Sequence, residues 1–193
     1  MNINFDTMGL RNRKTNNNGS IYFITTTAVN WEPVFTLGDG YNDIIINSLK
    51  HLLNEHKSEL ISYVIMPTHL HLIPFMKKSE SISDFMRDLK KFTSTKIRQL
   101  MEKEGRIDIV ERLEANAKGY KNQQFKLWMD RFDDVVIYSE KVLRTKVNYI
   151  HNNPVKTGLV TEPENWKYSS ARNYLLDDHS IIDVNTRWDF EFA

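Results

Sequence analysis

A chain of 193 residues with 40% hydrophobic content carries enough apolar side chain for one folded domain, and no run approaches the roughly 18 apolar residues of a membrane span. The absence of cysteine excludes disulfides, thiolate metal centres and cysteine nucleophiles, fits a reducing cytoplasm, and leaves nitrogen and oxygen as the donors for any metal. A net charge of +1 excludes a bulk electrostatic argument for nucleic-acid binding, so a basic surface would have to come from local clustering, as at Arg11, Arg13 and Lys14 or between Arg87 and Arg98.

Residues 1–19 form a polar arm, with Asn16, Asn17, Asn18 and Gly19 together, that reads as neither signal peptide nor anchor. Ile21 to Val29 is dense in β-branched and aromatic residues, the signature of a buried strand. Between Tyr41 and His56, Ile45, Leu49, Leu52 and Leu53 recur at helical spacing. Leu60 to Met66 reads as a second strand, Pro67-Thr68 as a tight connection, and His69 to Met76 as a third strand paired antiparallel with the second.

Ser83 is placed to cap a long helix reaching about Glu104, with Phe85, Leu89, Phe92 and Leu100 along one side and Arg87, Lys91, Ser94 and Arg98 opposite. Lys96 interrupts the apolar stripe, which predicts either a snorkelling side chain or a place near DNA. Residues 105–123 are polar and poorly periodic and read as an insertion, a helical turn or loop without chemistry. Gln124 to Met129 and Phe132 to Ile137 read as a strand or strand pair. Ser139 then caps a helix from Glu140 to about Asn152, which Pro154 stops by disfavouring helical geometry in the residue before it. The order β, α, β, β, α, β, α predicts a single-domain α+β fold, a ferredoxin-like antiparallel sheet with helices packed on one face. Residues 20–175 make that domain, and residues 176–193 an acidic extension with Asp177, Asp178, Asp183, Asp189 and Glu191.

Two groups of residues can carry chemistry. A strand alternates its faces, so His69 and His71 point together while Leu70 and Leu72 point the other way, and two imidazoles converge. The alternative is a pair of solvated or hydrogen-bonded strand histidines. In the last helix, Leu143, Val147 and Ile150 make a core stripe, and Val142, Lys146, Tyr149 and Asn153 a neighbouring one. Tyr149 and Asn153 are four apart and project from one side if the last turn stays helical, which would make Asn153 an oxygen donor. Equally, Asn before Pro is a common helix terminator and a half-buried tyrosine a common packing residue. Lys146, about 60° round the helix from Tyr149, is a candidate helper or an ordinary surface lysine. His151 points about 200° from Tyr149 and reads as structural.

Pro67-Thr68-His69-Leu70-His71-Leu72 followed by Tyr149-Ile150-His151-Asn152-Asn153-Pro154-Val155-Lys156-Thr157-Gly158-Leu159-Val160 resembles the REP-associated tyrosine transposases of the HUH single-tyrosine superfamily. The resemblance extends through Ile21 to Thr27, Trp128 to Phe132 and Trp166 to Ser170, covering most of residues 20 to 174. It implies that His69 and His71 bind a divalent metal, Mg or Mn, that Asn153 is the third ligand, and that Tyr149 is a nucleophile nicking single-stranded DNA through a 5′-phosphotyrosine link. The implied partner is a hairpin-forming palindromic repeat with a single-stranded flank, engaged by a monomer or a homodimer. Arg87, Lys91, Lys96 and Arg98 are candidate DNA contacts, although such helix faces are commonly plain solvated surface. Two competing expectations are a non-catalytic DNA-binding protein descended from such a transposase and a His-metal phosphoesterase that uses water as its nucleophile.

Overall fold

The structure, a computed structural model, describes residues 19–119, 124–188 and 190. The basic arm with Arg11, Arg13 and Lys14 lies outside the described residues, as do Asp189 and Glu191. Four strands, β1 (Gly19–Thr27), β2 (Glu59–Ile65), β3 (His69–Lys77) and β4 (Asp133–Ile137), form one sheet in the order β2-β3-β1-β4 with every neighbouring pair antiparallel. The helices are α1 (Asp39–Glu55), α2 (Ile82–Lys103), α3 (Ile107–Ala115), α4 (Glu140–Lys156) and α5 (Ala171–Leu176). The βαββαβ order and this strand order are the expected ferredoxin-like α+β arrangement.

Helices cover both faces of the sheet, where the sequence reading placed them on one. Tyr22, Ile24, Leu70 and Leu72 share a buried cluster with Ile45 and Leu49 of α1 and Phe85 and Leu89 of α2. Ile21, Val64 and Ile73 share a second cluster with Leu143, Val147 and Ile150 of α4. Strand alternation therefore assigns His69 and His71, out of step with Leu70 and Leu72, to the face that α4 covers. Both sheet faces are apolar because both are buried, so the strands do not read as a simple in–out alternation.

Pro74 stands in β3, a central strand, where its missing N–H cannot join the ladder. The β2–β3 register shifts between Leu60 and Ser62, with Leu60 opposite Pro74, so a local irregularity absorbs the lost donor. The exposed edge of β2 is covered by later chain: Ile65 N donates to Tyr168 O at 3.0 Å, Ser170 N to Tyr63 O at 3.0 Å, and Asn185 N to Leu60 O at 2.8 Å. The acidic C-terminal segment is thus laid along the sheet with Ile182 and Val184 buried.

Several local expectations are corrected. Ser81, not Ser83, caps α2, its Oγ accepting from Asp84 N at 3.2 Å. The buried side of α2 is Ile82, Phe85, Met86, Leu89, Thr93, Ile97 and Met101, which leaves Phe92 and Lys96 exposed. Thr93 disguised this stripe: its hydroxyl donates to Leu89 O and accepts from Trp128 Nε1, so a polar residue sits fully paired in the core. Lys96 therefore breaks no pattern, and the reason for placing it near DNA is gone. Residues 124–129 form no strand; their backbone pairs just past the end of β1 at the Ala28–Trp128 bridge, and Phe125, Leu127 and Trp128 are buried in the cluster that holds Ile24 and Leu70. The 105–123 insertion contains α3, with Ile109, Val110 and Leu113 buried, and residues 120–123 lie outside the described residues.

Pro154 does not stop α4, which runs through it to Lys156. Leu159 N donates to Pro154 O at 2.9 Å, and the Thr157 hydroxyl donates to Asn153 O and Pro154 O at 3.0 and 3.1 Å. These bonds satisfy the carbonyls that a frayed end would expose and hold the final turn together beyond the proline.

Candidate active site

The sheet brings β1 and β3 into a register that pairs Thr25 with His71 and Thr27 with His69. The two histidine rings lie 4.8 Å apart between centroids. Each is anchored at Nδ1 by a threonine hydroxyl: Thr25 Oγ1 at 2.8 Å from His71 and Thr68 Oγ1 at 3.1 Å from His69. His71 is 3% exposed, and its Nε2 is one of two buried side-chain polar atoms without a partner among the described residues. An orphaned buried nitrogen is costly unless something outside the protein uses it. With a proton on Nδ1 directed to the threonine, each ring carries its lone pair on Nε2, and a hydrogen bond at one ring nitrogen fixes both the ring's orientation and which nitrogen can coordinate.

Burial supplies the matching electrostatics. Loss of hydration lowers the pKa of His69, and that of His71 is lowered to about 3 by burial first, then by the charge of a protonated His69, with Lys146 adding a smaller push and hydrogen bonding to the Ile24 backbone opposing it. Both imidazoles are neutral at physiological pH, which is the form that can coordinate a metal.

Helix α4 delivers the tyrosine. Its Leu143, Val147 and Ile150 stripe locks it on the sheet, as the sequence reading expected, and this turns Tyr149 toward β1 and β3 of the same chain. The Tyr149 ring meets His71 edge to face with centroids 5.3 Å apart, and Phe23 at 5.9 Å. Tyr149 is 40% exposed, so its phenol is open to a large substrate. Phe23 in turn stacks on His71 at 5.5 Å and walls the site on the β1 side.

Asn153 follows one turn after Tyr149 on α4 and is 8% exposed. Lys146 Nζ lies 4.3 Å from the centre of the Phe23 ring, beside the site. Lys156 Nζ lies 5.6 Å from the centre of the Tyr149 ring, a contact that sequence reading missed because it ended the helix before Lys156. Seven residues are nearly two full turns, so a helix continuing through Pro154 necessarily puts Lys156 above Tyr149. Thr25 and Phe23 were also missed: two apart in β1, they share one face, and only the β1–β3 register puts that face beside His71.

The expected DNA contacts on α2 stand apart from this cluster, across the sheet. Arg87 is paired with Asp84 and Asp88, and Arg98 with Glu102 and Glu114. Lys91 and Lys96 are exposed on the same helix. His151 is structural, as expected: it is 7% exposed with Nε2 2.9 Å from Ser170 Oγ.

Residues 31–153, most of the region that builds this site, match the family described as Transposase IS200 like. The chain belongs to that family. The class of work is accordingly DNA transposition or mobilisation. Among relatives of IS200-like transposase type, the chain is 26% identical over 152 residues to a candidate REP-associated tyrosine transposase of Haemophilus influenzae, covering 79% of this chain and 80% of that protein. It is 29% identical over 114 residues to the REP-associated tyrosine transposase of Escherichia coli, covering 58% of this chain and 53% of that one. Among solved structures, that of a REP-associated tyrosine transposase bound to a REP hairpin superposes with a TM-score of 0.63 at 21% identity, covering 96% of each chain, which establishes the shared fold. Among the described residues, no helix of this IS200-like transposase is long and apolar enough to cross a membrane.

Proposed function

We propose that the chain nicks single-stranded DNA and transfers the strand, with Tyr149 as the nucleophile. The observation that carries this reading is the placement of an exposed phenol edge to face with a buried histidine whose Nε2 has no partner among the described residues. The Tyr149 oxygen attacks a scissile phosphorus, the phosphorus–O3′ bond breaks, and the phenol proton is lost as the leaving oxygen becomes a free 3′-hydroxyl. The product holds the 5′-phosphate on Tyr149. One phosphodiester has been exchanged for another, so attack by a 3′-hydroxyl from a second DNA end reverses the step and joins strands without ATP.

His69, His71 and Asn153 would hold a divalent metal, and the unpartnered His71 Nε2, the depressed pKa of both imidazoles and the amide oxygen that Asn153 can donate one turn from Tyr149 fit that role. When bound, such an ion polarises a non-bridging phosphate oxygen and offsets negative charge in the transition state. Two imidazoles suit late transition metals, whereas amide and phosphate oxygens suit magnesium and manganese; with two oxygen types in the set and magnesium abundant, Mg or Mn is the assignment. Thr25 and Thr68 fix the histidine rings, Phe23 limits water on one side, and Lys146 and Lys156 place positive charge beside the phosphate.

The DNA partner is a hairpin with a single-stranded flank, a reading supported by the hairpin-bound structure of similar fold. The test is incubation with labelled hairpin DNA carrying its flank, with and without Mg or Mn, followed by denaturing electrophoresis. A metal-dependent covalent adduct that disappears in Tyr149→Phe supports nicking. Binding without any adduct, on DNA that includes the chain's own flanking repeats, would replace it with a non-catalytic DNA-binding role.

A further inference from the structure

Immediately after β1 the chain turns through a short 3-10 segment, Val29–Trp31, at the His69 end of the sheet. Ala28 N donates to Thr68 O at 2.8 Å and Val29 N to Leu127 O at 2.8 Å, so this turn is tied to the connection that precedes His69. Asn30 and Trp31 have φ of 54° and 53°, two consecutive non-glycine residues in the left-handed region. That conformation is disfavoured for an L-residue with a bulky side chain and persists only where its surroundings enforce it.

The surroundings here do so, and they hold the backbone while leaving the ring alone. Asn30 Nδ2 donates to Asn116 Oδ1 at 3.0 Å, Arg112 Nη2 donates to Glu32 Oε1 at 2.9 Å, and Trp31 N donates to Ala28 O at 3.0 Å. The first two bonds come from α3 and the residue after it, which gives the 105–123 insertion a purpose. Trp31 itself is 65% exposed, the most exposed of the large hydrophobic side chains described. An indole is among the most strongly buried groups by preference, so a braced turn that holds one in solvent is built to present it. Tyr138, the next most exposed aromatic, follows β4 at the far end of the sheet, beyond the Ile21–Ile137 pair, and has no such relation to the histidines.

We propose that Trp31 is a stacking platform for an unpaired base of the single strand that enters the site beside the phosphate attacked by Tyr149. Flat aromatic faces bind single-stranded DNA by stacking with little regard to base identity, and one such contact is worth roughly fivefold to a hundredfold in affinity. Trp31 would grip the flank of the hairpin and set which phosphate arrives at Tyr149, a positioning role. This inference rests on the nicking reading for the identity of the strand.

The test compares two DNAs, a hairpin with its single-stranded flank and the same hairpin without it, against wild type, Trp31→Ala and Trp31→Phe. Binding of the flanked DNA should quench tryptophan emission in the wild type, and the quench should be reduced in Trp31→Phe, which identifies Trp31 among the four tryptophans. Trp31→Ala should weaken the flanked hairpin by about tenfold, leave the flankless hairpin unchanged and spread the cleavage position, while Trp31→Phe recovers most of the affinity. Equal affinity of wild type and Trp31→Ala for the flanked DNA overturns the proposal, including the case in which Trp31→Ala changes only the oligomeric state. An adduct formed equally well and at the same position by Trp31→Ala overturns the positioning role and leaves the nicking reading standing. Trp31-dependent binding with no adduct from wild type removes the nicking reading alone, and no binding of either DNA removes both.

Discussion

The rings of Tyr149 and His71 meet edge to face at 5.3 Å, joining the middle of α4 to the third residue of β3, far away in sequence. That contact sets the ring of the proposed nucleophile against a histidine whose Nε2 has no partner among the described residues.

Removing only the phenol oxygen should separate binding from chemistry. Tyr149→Phe keeps the ring contacts with His71 and Phe23, so hairpin affinity should remain within about twofold and thermal stability unchanged, while the covalent adduct is lost completely. A gel-shift titration beside an adduct assay reads both; persistence of cleavage in Tyr149→Phe would point instead to water as the nucleophile.

The threonine beneath His71 offers a subtler change. Thr25→Val keeps a β-branched side chain in β1 but removes the hydroxyl 2.8 Å from Nδ1, so the ring loses its anchor. Affinity for Mn, measured by calorimetric titration, should fall by about 10- to 100-fold, with the strand intact by circular dichroism. His71→Ala should abolish the binding heat, and a chelator should abolish the adduct in the wild type.

His151 makes the stability of the fold pH-dependent. Burial depresses its pKa to about 4 from 6.5, so in this window the unfolded chain binds the proton and the folded chain does not. Its contribution to stability is therefore complete above about pH 6.5, shrinks as pH falls, and is gone near about pH 4. A shift of this size corresponds to roughly 3 kcal/mol at most. Urea unfolding followed from neutral to acid pH should show a shallower loss in His151→Gln than in the wild type; parallel curves would mean that His151 is not buried neutral beside Ser170.

Charge near the site should matter more than charge on α2. Lys146 and Lys156 lie against Phe23 and Tyr149, whereas Arg87 and Arg98 are tied up with carboxylates and Lys96 lies across the sheet. Lys146→Ala and Lys156→Ala should each lower DNA affinity by a few-fold and flatten its dependence on salt, with a smaller effect from Lys96→Ala. Affinities at two or more salt concentrations decide the order.

Local pattern in the sequence was sufficient for much of this molecule. The alternation of His69, Leu70, His71 and Leu72 already put the two imidazoles on the sheet face opposite the two leucines, and the Leu143, Val147 and Ile150 stripe already set Tyr149 on a neighbouring side of its helix, because both periodicities are properties of a single element. Where the reading failed, non-local contacts decided. Thr93 looked polar and is buried because Trp128 supplies its partner; Pro154 looked like a stop, yet the turn continues because Thr157 and Leu159 bond back to it. The register that sets Thr25 beside His71, the packing of α4 on the opposite face from α1 and α2, and the bracing of Trp31 by α3 each join segments far apart in the chain. A sequence determines which faces its helices and strands want to bury; which face meets which is settled only when all of them compete for the same core.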